Sequence, residues 1–419
     1  MREDVNVSYM QRLQQQGTVP GARRHSLLRT KVQANLKSFK RRALKVIYWL
    51  PAQILRLTQL RFPGVTGQTR IGHLVADTDW YVRKMVLGDL PKTGPVLLLR
   101  RGHVANQAYV DMLRQHYMVI QNEILCALIK PFTTFDYLRI DMTQCVSQLA
   151  AAADYYDVMK RWGDRPSIWA LPEDIDRRGR LALREMGLPE DAWFVCVHSR
   201  EGGYAPKSEF MHAHRNSEIA SYNLAIEAIV ARGGYCIRVG DNTMDKMPDQ
   251  PGAIDYAHSQ WKSDWMDLFL GARCRFFLGN SSGLAIVSSI FGIPSVLANM
   301  IPLSTVYGIH PHDLSIPKLL ANSDGRRLSF AEIFSSDIAD YRFAGLMSEA
   351  GLTVIDNTPE QIKDATVELL DRLDGVESAD LEPKLQDALR AQMRPHHYTY
   401  GSAAKIGGKF LSDHADLLK

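Results

Sequence analysis

The chain has 419 residues, more than the roughly 100–200 of one domain, which points to two domains with appendages and excludes a single small binding module. With 46% hydrophobic and 23% charged residues, and only 29 Gly and 19 Pro, it has the composition of a folded globular protein, not of a disordered or fibrous one. The net charge of +4 conceals an uneven distribution: residues 1–76 carry 14 Lys and Arg against Glu3 and Asp4, leaving 36 basic and 44 acidic residues in a body of net charge −8.

The basic segment comes first. Ser26 to Leu60 interleaves Leu, Val, Ile, Trp and Tyr with Arg and Lys and contains no acid. Such a pattern predicts an interfacial helix, so residues 23–60 are expected to lie on an anionic membrane surface, each basic residue contributing about 1 kcal/mol. Pro51 is expected to kink or end that helix. Packing on the acidic body and non-specific nucleic-acid binding are the alternatives; no specific nucleic-acid partner is expected. No run of 18 apolar residues occurs, and the N-terminus carries charges where a signal peptide needs an apolar stretch. Together with five cysteines (Cys126, Cys145, Cys196, Cys236, Cys274) that never fall in C-x-x-C spacing, this predicts a reducing, cytoplasmic location, peripheral on the membrane face, and no zinc site.

From Phe62 to about Leu188 the pattern is mixed α/β. Gly64 to Gly67 and Arg70-Ile-Gly72-His73-Leu74 form a glycine-containing turn ahead of Asp77 and Asp79, Pro95 to Leu99 is a buried-strand candidate, and Asn106 to Gln115 a helix. Beyond Trp193 short apolar runs alternate with helical periods. Strands are predicted at 194–197, 235–239, 253–256, 274–278 and 294–297. Helices are predicted from an Asn216/Ser217 cap through Val230, at 263–272 and at 281–291. That alternation means a parallel, doubly wound sheet, whose ligand site lies beyond the carboxyl ends of its strands. Thr358-Pro-Glu-Gln361 is a capping box opening a helix to about Leu373, and residues 374–419 are expected to be helical and peripheral.

Several polar groups fall where the sheet rule places a ligand. His198-Ser-Arg200 follows the first strand of the second half, Gly240-Asp241 the second, and Asn280-Ser281-Ser282-Gly283 the fourth. The last group opens a helix, whose N–H groups suit an anion; Arg200 supplies a permanently charged, bidentate clamp and His198 a hydrogen bond, a combination suited to a diphosphate. H-x-R alone is expected about once by chance, and the D-x-D triplets Asp77/Asp79 and Asp174/Asp176 are no more frequent than chance, so no metal is predicted. Gly279-Asn-Ser281-Ser-Gly283 also fits G-x-S-x-G, with Asp356 and His396 following in workable order, which keeps a serine hydrolase as an alternative. A non-catalytic, membrane-associated nucleotide-binding protein is the other. Trp261 and Trp265 are read as packing residues rather than a base-stacking pair.

Val195 to Tyr204, Arg215 to Ile219, Arg238 to Asp241, Ile254 to Ala257, Lys262 to Asp267 and Phe276 to Gly283, with Arg70 to Leu74, resemble a bacterial family of predicted glycosyltransferases. More distantly they resemble H-x-R-containing, fucosyltransferase-like enzymes of the GT-B fold. The resemblance implies an α/β protein with two facing Rossmann-like domains, here 61–188 for the acceptor and 189–345 for the nucleotide sugar, flanked by the basic extension 1–60 and C-terminal helices 346–419. It implies a nucleoside diphosphate sugar as donor, a glycan or other hydroxyl as acceptor, and no cofactor or metal. Arg200 would contact the diphosphate beside His198. Gly72 and the turn Asn280, Ser281, Ser282 and Gly283 would cradle the donor, and Asp241 or Asp255 would contact ribose or base. His73, Asp77 and Glu201 are the candidates for a general base. The central Ser199 stands where a β-branched apolar residue is commoner.

Overall fold

Short apolar runs flanked by turn residues become strands in both halves of the chain. The computed structural model describes residues 5–16, 42–65, 67–140, 142, 149–204, 206, 209–376 and 383–419. The protein is α/β, and its contacts divide it into two units, Met1–Gln148 and Leu149–Lys419. Cys145 and residues 17–41 of the basic segment lie outside the described residues.

In the first unit β1 (Leu60–Pro63), β2 (Gly94–Leu98), β3 (Met118–Ile120) and β4 (Arg139–Ile140) form a parallel sheet in the order β3-β2-β1-β4. The helix Ile71–Leu87 follows β1 and stops at Gly88, whose φ of 84° is left-handed and free of strain only for glycine. Asn106 caps the helix Gln107–Met112 by accepting the Tyr109 N–H at 2.8 Å. In the basic segment the helix is interrupted at Tyr48, not at Pro51. Proline sits in the first turn of the helix Trp49–Arg56, where its missing N–H costs no intrahelical bond.

Among the described residues the second unit holds seven parallel strands: β5 (Phe194–Val197), β6 (Tyr235–Arg238), β7 (Ala253–Ile254), β8 (Phe277–Gly279), β9 (Ser295–Met300), β10 (Leu314–Pro317) and β13 (Lys405–Ile406). Their order is β13-β10-β9-β8-β5-β6-β7. Counted from β5, the first six take the order 3-2-1-4-5-6 of a doubly wound nucleotide-binding sheet, with the topological switch between β5 and β8. Every residue of β5 and β9 is buried, as a parallel strand covered on both faces requires. A separate antiparallel pair joins β11 (Leu319–Ala321) to β12 (Thr353–Ile355).

Three expectations change. The helix Glu173–Glu185, expected in a first domain ending at residue 188, belongs to the second unit. Gly179 lets the buried Phe269 ring lie so close that an added Cβ would fall 2.2 Å from it, and Arg273 reaches Asp176 at 2.6 Å. The helix expected from Asn216 starts instead with a 3-10 turn at Ile219–Tyr222 and becomes α-helical only at Asn223–Ala231, because Ser217 is drawn to Asn280. The C-terminal segment is not peripheral: Ile406, Phe410, Leu411 and Leu417 are buried in the core of the second unit, and β13 pairs with β10. The capping box holds, with Thr358 and Gln361 exchanging bonds at the head of Pro359–Leu373.

Candidate functional site

The carboxyl ends of β5 and β8 flank the switch, and one side chain ties their loops together. Asn280, fully buried after β8, accepts the Arg200 N–H at 3.0 Å and donates to the Arg215 carbonyl at 3.1 Å and to Ser217 Oγ at 2.9 Å. Gly279 makes this approach possible, since a Cβ there would lie 2.8 Å from the His198 carbonyl oxygen. A short asparagine thus does what a backbone ladder does elsewhere: it fixes three loops in register.

His198 is buried, and its Nδ1 lies 3.0 Å from the Val239 carbonyl. A carbonyl only accepts, so the hydrogen sits on Nδ1, and Nε2 is a lone-pair acceptor that finds no hydrogen-bond partner among the described residues. Burial pushes the imidazole pKa down to about 4 against the opposing Val239 bond, with the Arg238 charge adding to the depression. The sign follows. Between the ordinary value of 6.5 and about 4 the unfolded imidazole takes up a proton and the folded one does not, so stability present above pH 6.5 is lost as pH falls. Relative to His198→Leu, wild type should lose about 3 kcal/mol of stability between pH 7 and pH 4, measured by urea unfolding of both proteins. A constant gap across that range would contradict the assignment.

Arg200 is half-buried, its guanidinium held by Asn216 Oδ1, the His212 carbonyl at 3.3 Å and Glu209 at 3.4 Å. Glu209 also accepts from Asn216 Nδ2 at 2.5 Å. Around it the structure gathers cations that the sequence patterns did not single out. Arg215 donates to the Ser281 carbonyl at 2.6 Å and to its hydroxyl at 3.3 Å. Lys318, buried just past β10, donates to the Asn216 carbonyl and to Asp356, both at 2.6 Å. Burial lowers its pKa, against the Asp356 contact. His214 lies among them: burial first, then the charges of Arg215, His212, Lys318 and Arg200, push its pKa down to about 3. Four cationic or basic groups therefore bear on one imidazole, at the edge where a doubly wound sheet binds its ligand. The available signals were a lysine inside the apolar run Ser315 to Leu320 and an arginine one residue before the expected Asn216 cap.

The remaining predicted residues divide between the two units. Ser282 Oγ lies 3.5 Å from the Leu284 N–H, and Gly283 caps a helix of seven residues, Leu284–Ile290, shorter than expected. Asp241 accepts the Thr243 N–H at 2.8 Å and closes its own turn after β6. Glu201 and Asp255 both serve Arg238. Glu201 accepts from that fully buried guanidinium at 2.8 Å and from the Asp245 N–H at 2.6 Å, while Asp255 lies 3.6 Å from Arg238 and 2.9 Å from His258 Nδ1. In the first unit Gly72 and His73 occupy the first turn of Ile71–Leu87, with the His73 ring packed 3.3 Å from where a Cβ on Gly67 would sit; Asp77 follows, fully buried.

The residues of the alternative triad have separate partners: Ser281 has Arg215 against its hydroxyl, Asp356 holds Lys318, and His396 lies 4.0 Å from Asp340. Asp79 is paired with Arg83 at 2.7 Å and Asp176 with Arg180 at 2.9 Å. Trp261 donates to Glu185 at 3.0 Å and Trp265 lies 4.1 Å beneath Arg178, so both pack on Glu173–Glu185. Among the described residues Asp340, His396 and His397 bring ligand-type atoms within 4.8 Å of one another. His397 accepts the Arg394 N–H on Nδ1 at 3.0 Å, which leaves its hydrogen on Nε2, the wrong polarity for a metal ligand.

No family model matches the chain, and no curated protein matches it in sequence. Among solved structures it is similar to a glycosyl transferase family 9 protein of Veillonella parvula, at 11% identity and TM-score 0.36 over 57% of this chain and 79% of that one. It is also similar to the iron-containing dodecameric glycosyltransferase TibC of enterotoxigenic Escherichia coli, at 13% identity and TM-score 0.39 over 75% and 76% of the two chains. A third similarity is to the UDP-GlcNAc 2-epimerase of Methanocaldococcus jannaschii, at 10% identity and TM-score 0.23 over 73% and 82%.

Proposed function

We propose that the protein is a glycosyltransferase of the GT-B kind, moving a sugar from a nucleoside diphosphate sugar to an acceptor hydroxyl in bacterial glycan or polysaccharide synthesis. The observation that carries this reading is the convergence of Arg200, Arg215 and Lys318 with the lone-pair Nε2 of His198 at the switch of a 3-2-1-4-5-6 sheet. Cations there suit a diphosphate, and a neutral acceptor suits a sugar or ribose hydroxyl.

In this mechanism the bond from the anomeric carbon to the β-phosphate oxygen breaks through an oxocarbenium-like transition state. Negative charge builds on the departing diphosphate, where Arg200 and Arg215 meet it, with the Ser281 to Gly283 turn closing on the phosphate. Side chains would thus perform the neutralisation that a metal performs elsewhere. The loop bearing Asp241 would contact the ribose, with Asp255 and Glu201 holding Arg238 behind it. The acceptor oxygen attacks the anomeric carbon and gives up its proton to a general base, for which His73, Asp77 and Glu201 are the candidates. Incubating the full chain with UDP-, GDP-, ADP- and dTDP-linked sugars together with a panel of glycan acceptors bearing free hydroxyls should release nucleoside diphosphate from one base class, unaffected by EDTA. Release from none of them by folded protein would contradict the reading, and abolition by EDTA would contradict its metal-free form.

A further inference from the structure

Residues 42–57 turn apolar side chains in two directions. Tyr48, Ala52 and Leu55 face the first unit: Ala52 is fully buried, the Tyr48 ring meets Phe132 edge-on at 5.0 Å, and between them Gln53 donates to the Tyr137 hydroxyl at 2.8 Å. Val46, Ile47, Trp49, Leu50, Ile54 and Leu57 face away and are 57% to 88% exposed. Within Trp49–Arg56 and its C-cap, the i, i+4, i+7 spacing of Leu50, Ile54 and Leu57 is that of one helical side. A second helix of the same unit also exposes apolar side chains. Ile124, Leu125 and Leu128 of Glu123–Ile129 are 49% to 71% exposed, and Ile129 at its end packs in the same cluster as Tyr48 and Phe132. Exposed apolar side chains on two helices of one unit, most of them more than half exposed, mark an interaction site.

Charge selects the occupant. Residues 23–61 hold 11 Lys and Arg and no Asp or Glu. Arg42 and Arg56 are exposed, Arg56 lying 5.3 Å over the Tyr137 ring and Lys45 5.9 Å over Phe135, so the basic groups rim the apolar face; Glu123 on the second helix is offset by Lys130 at its other end. The matching surface is negative at its boundary and apolar within. Residues 17–41 of the chain are themselves basic and acid-free, and a second copy would oppose like charges, so neither complements this rim. We propose that the first unit docks on an anionic lipid bilayer, with the exposed faces of Trp49–Arg56 and Glu123–Ile129 entering the headgroup boundary together. This inference is independent of the transferase reading.

The test is cosedimentation of the full chain with vesicles of phosphatidylcholine alone and of phosphatidylcholine with phosphatidylglycerol. Binding is expected to be at least about tenfold tighter with phosphatidylglycerol. Leu50→Glu with Ile54→Glu should weaken it by about 100-fold, and Ile124→Glu with Leu128→Glu by about tenfold, each variant checked for an unchanged circular dichroism spectrum and melting temperature. No preference for phosphatidylglycerol would overturn the proposal, as would binding indifferent to either pair of substitutions. Light scattering that shows a dimer dissolved by these substitutions, without vesicle binding, would assign the face to a second copy and overturn it equally.

Discussion

Arg200→Ala is expected to lower turnover by about 1,000-fold or more while leaving the protein folded, because it removes the permanent charge beside the switch where the diphosphate is proposed to depart. The loss should appear in kcat as well as in donor affinity, since the charge it meets is larger in the transition state than in the bound donor. Arg200 has structural partners too, in Glu209, Asn216 and the His212 carbonyl. Arg200→Lys separates the roles: it keeps a cation but loses the planar fork, so it should restore part of the binding and little of the rate. Nucleoside diphosphate release measured for both variants checks this. Undiminished turnover in Arg200→Ala would remove the central residue from the account.

Asn280→Ala should cost about 3 kcal/mol of stability, read from urea unfolding. The side chain joins the Arg200 N–H, the Arg215 carbonyl and Ser217 Oγ, and its loss strands these groups in a buried setting. Asn280→Asp should also destabilise, since a carboxylate accepts from Arg200 but cannot donate to the Arg215 carbonyl. The same substitution should weaken nucleotide binding, because the loops carrying Arg200 and Arg215 lose their common pin. A change in stability below about 0.5 kcal/mol for Asn280→Ala would contradict this role.

The parallel sheet of the second unit was legible because its strands are continuous apolar runs separated by capped helices, as in Phe194–Val197 and the Thr358 box. Legible too were the positions of His198, Arg200 and Asn280, since a strand end is a place in the sequence as well as in space. What escaped depends on long-range pairing. The strand Lys405–Ile406 has two residues and no periodicity, and only its neighbour Leu314–Pro317 makes it a strand. Lys318 reaches the site through the sheet order, which sequence spacing does not encode. Glu201 is a general-base candidate in the sequence, but Arg238, far along the chain, holds it at 2.8 Å. A helix start is likewise hidden from the sequence where its capping side chain is taken by another loop, as Ser217 is by Asn280.

The most direct test of the central claim is a thermal-shift screen of the full chain against GDP, UDP, CMP, dTDP and ADP. At 100 times its dissociation constant a ligand stabilises the folded state by about 2.7 kcal/mol, a shift of a few degrees for a chain of this size. A selective rise with one diphosphate is expected, absent in Arg200→Ala. No rise with any nucleotide, or a rise that survives the loss of Arg200, would contradict a donor site at the β5–β8 switch.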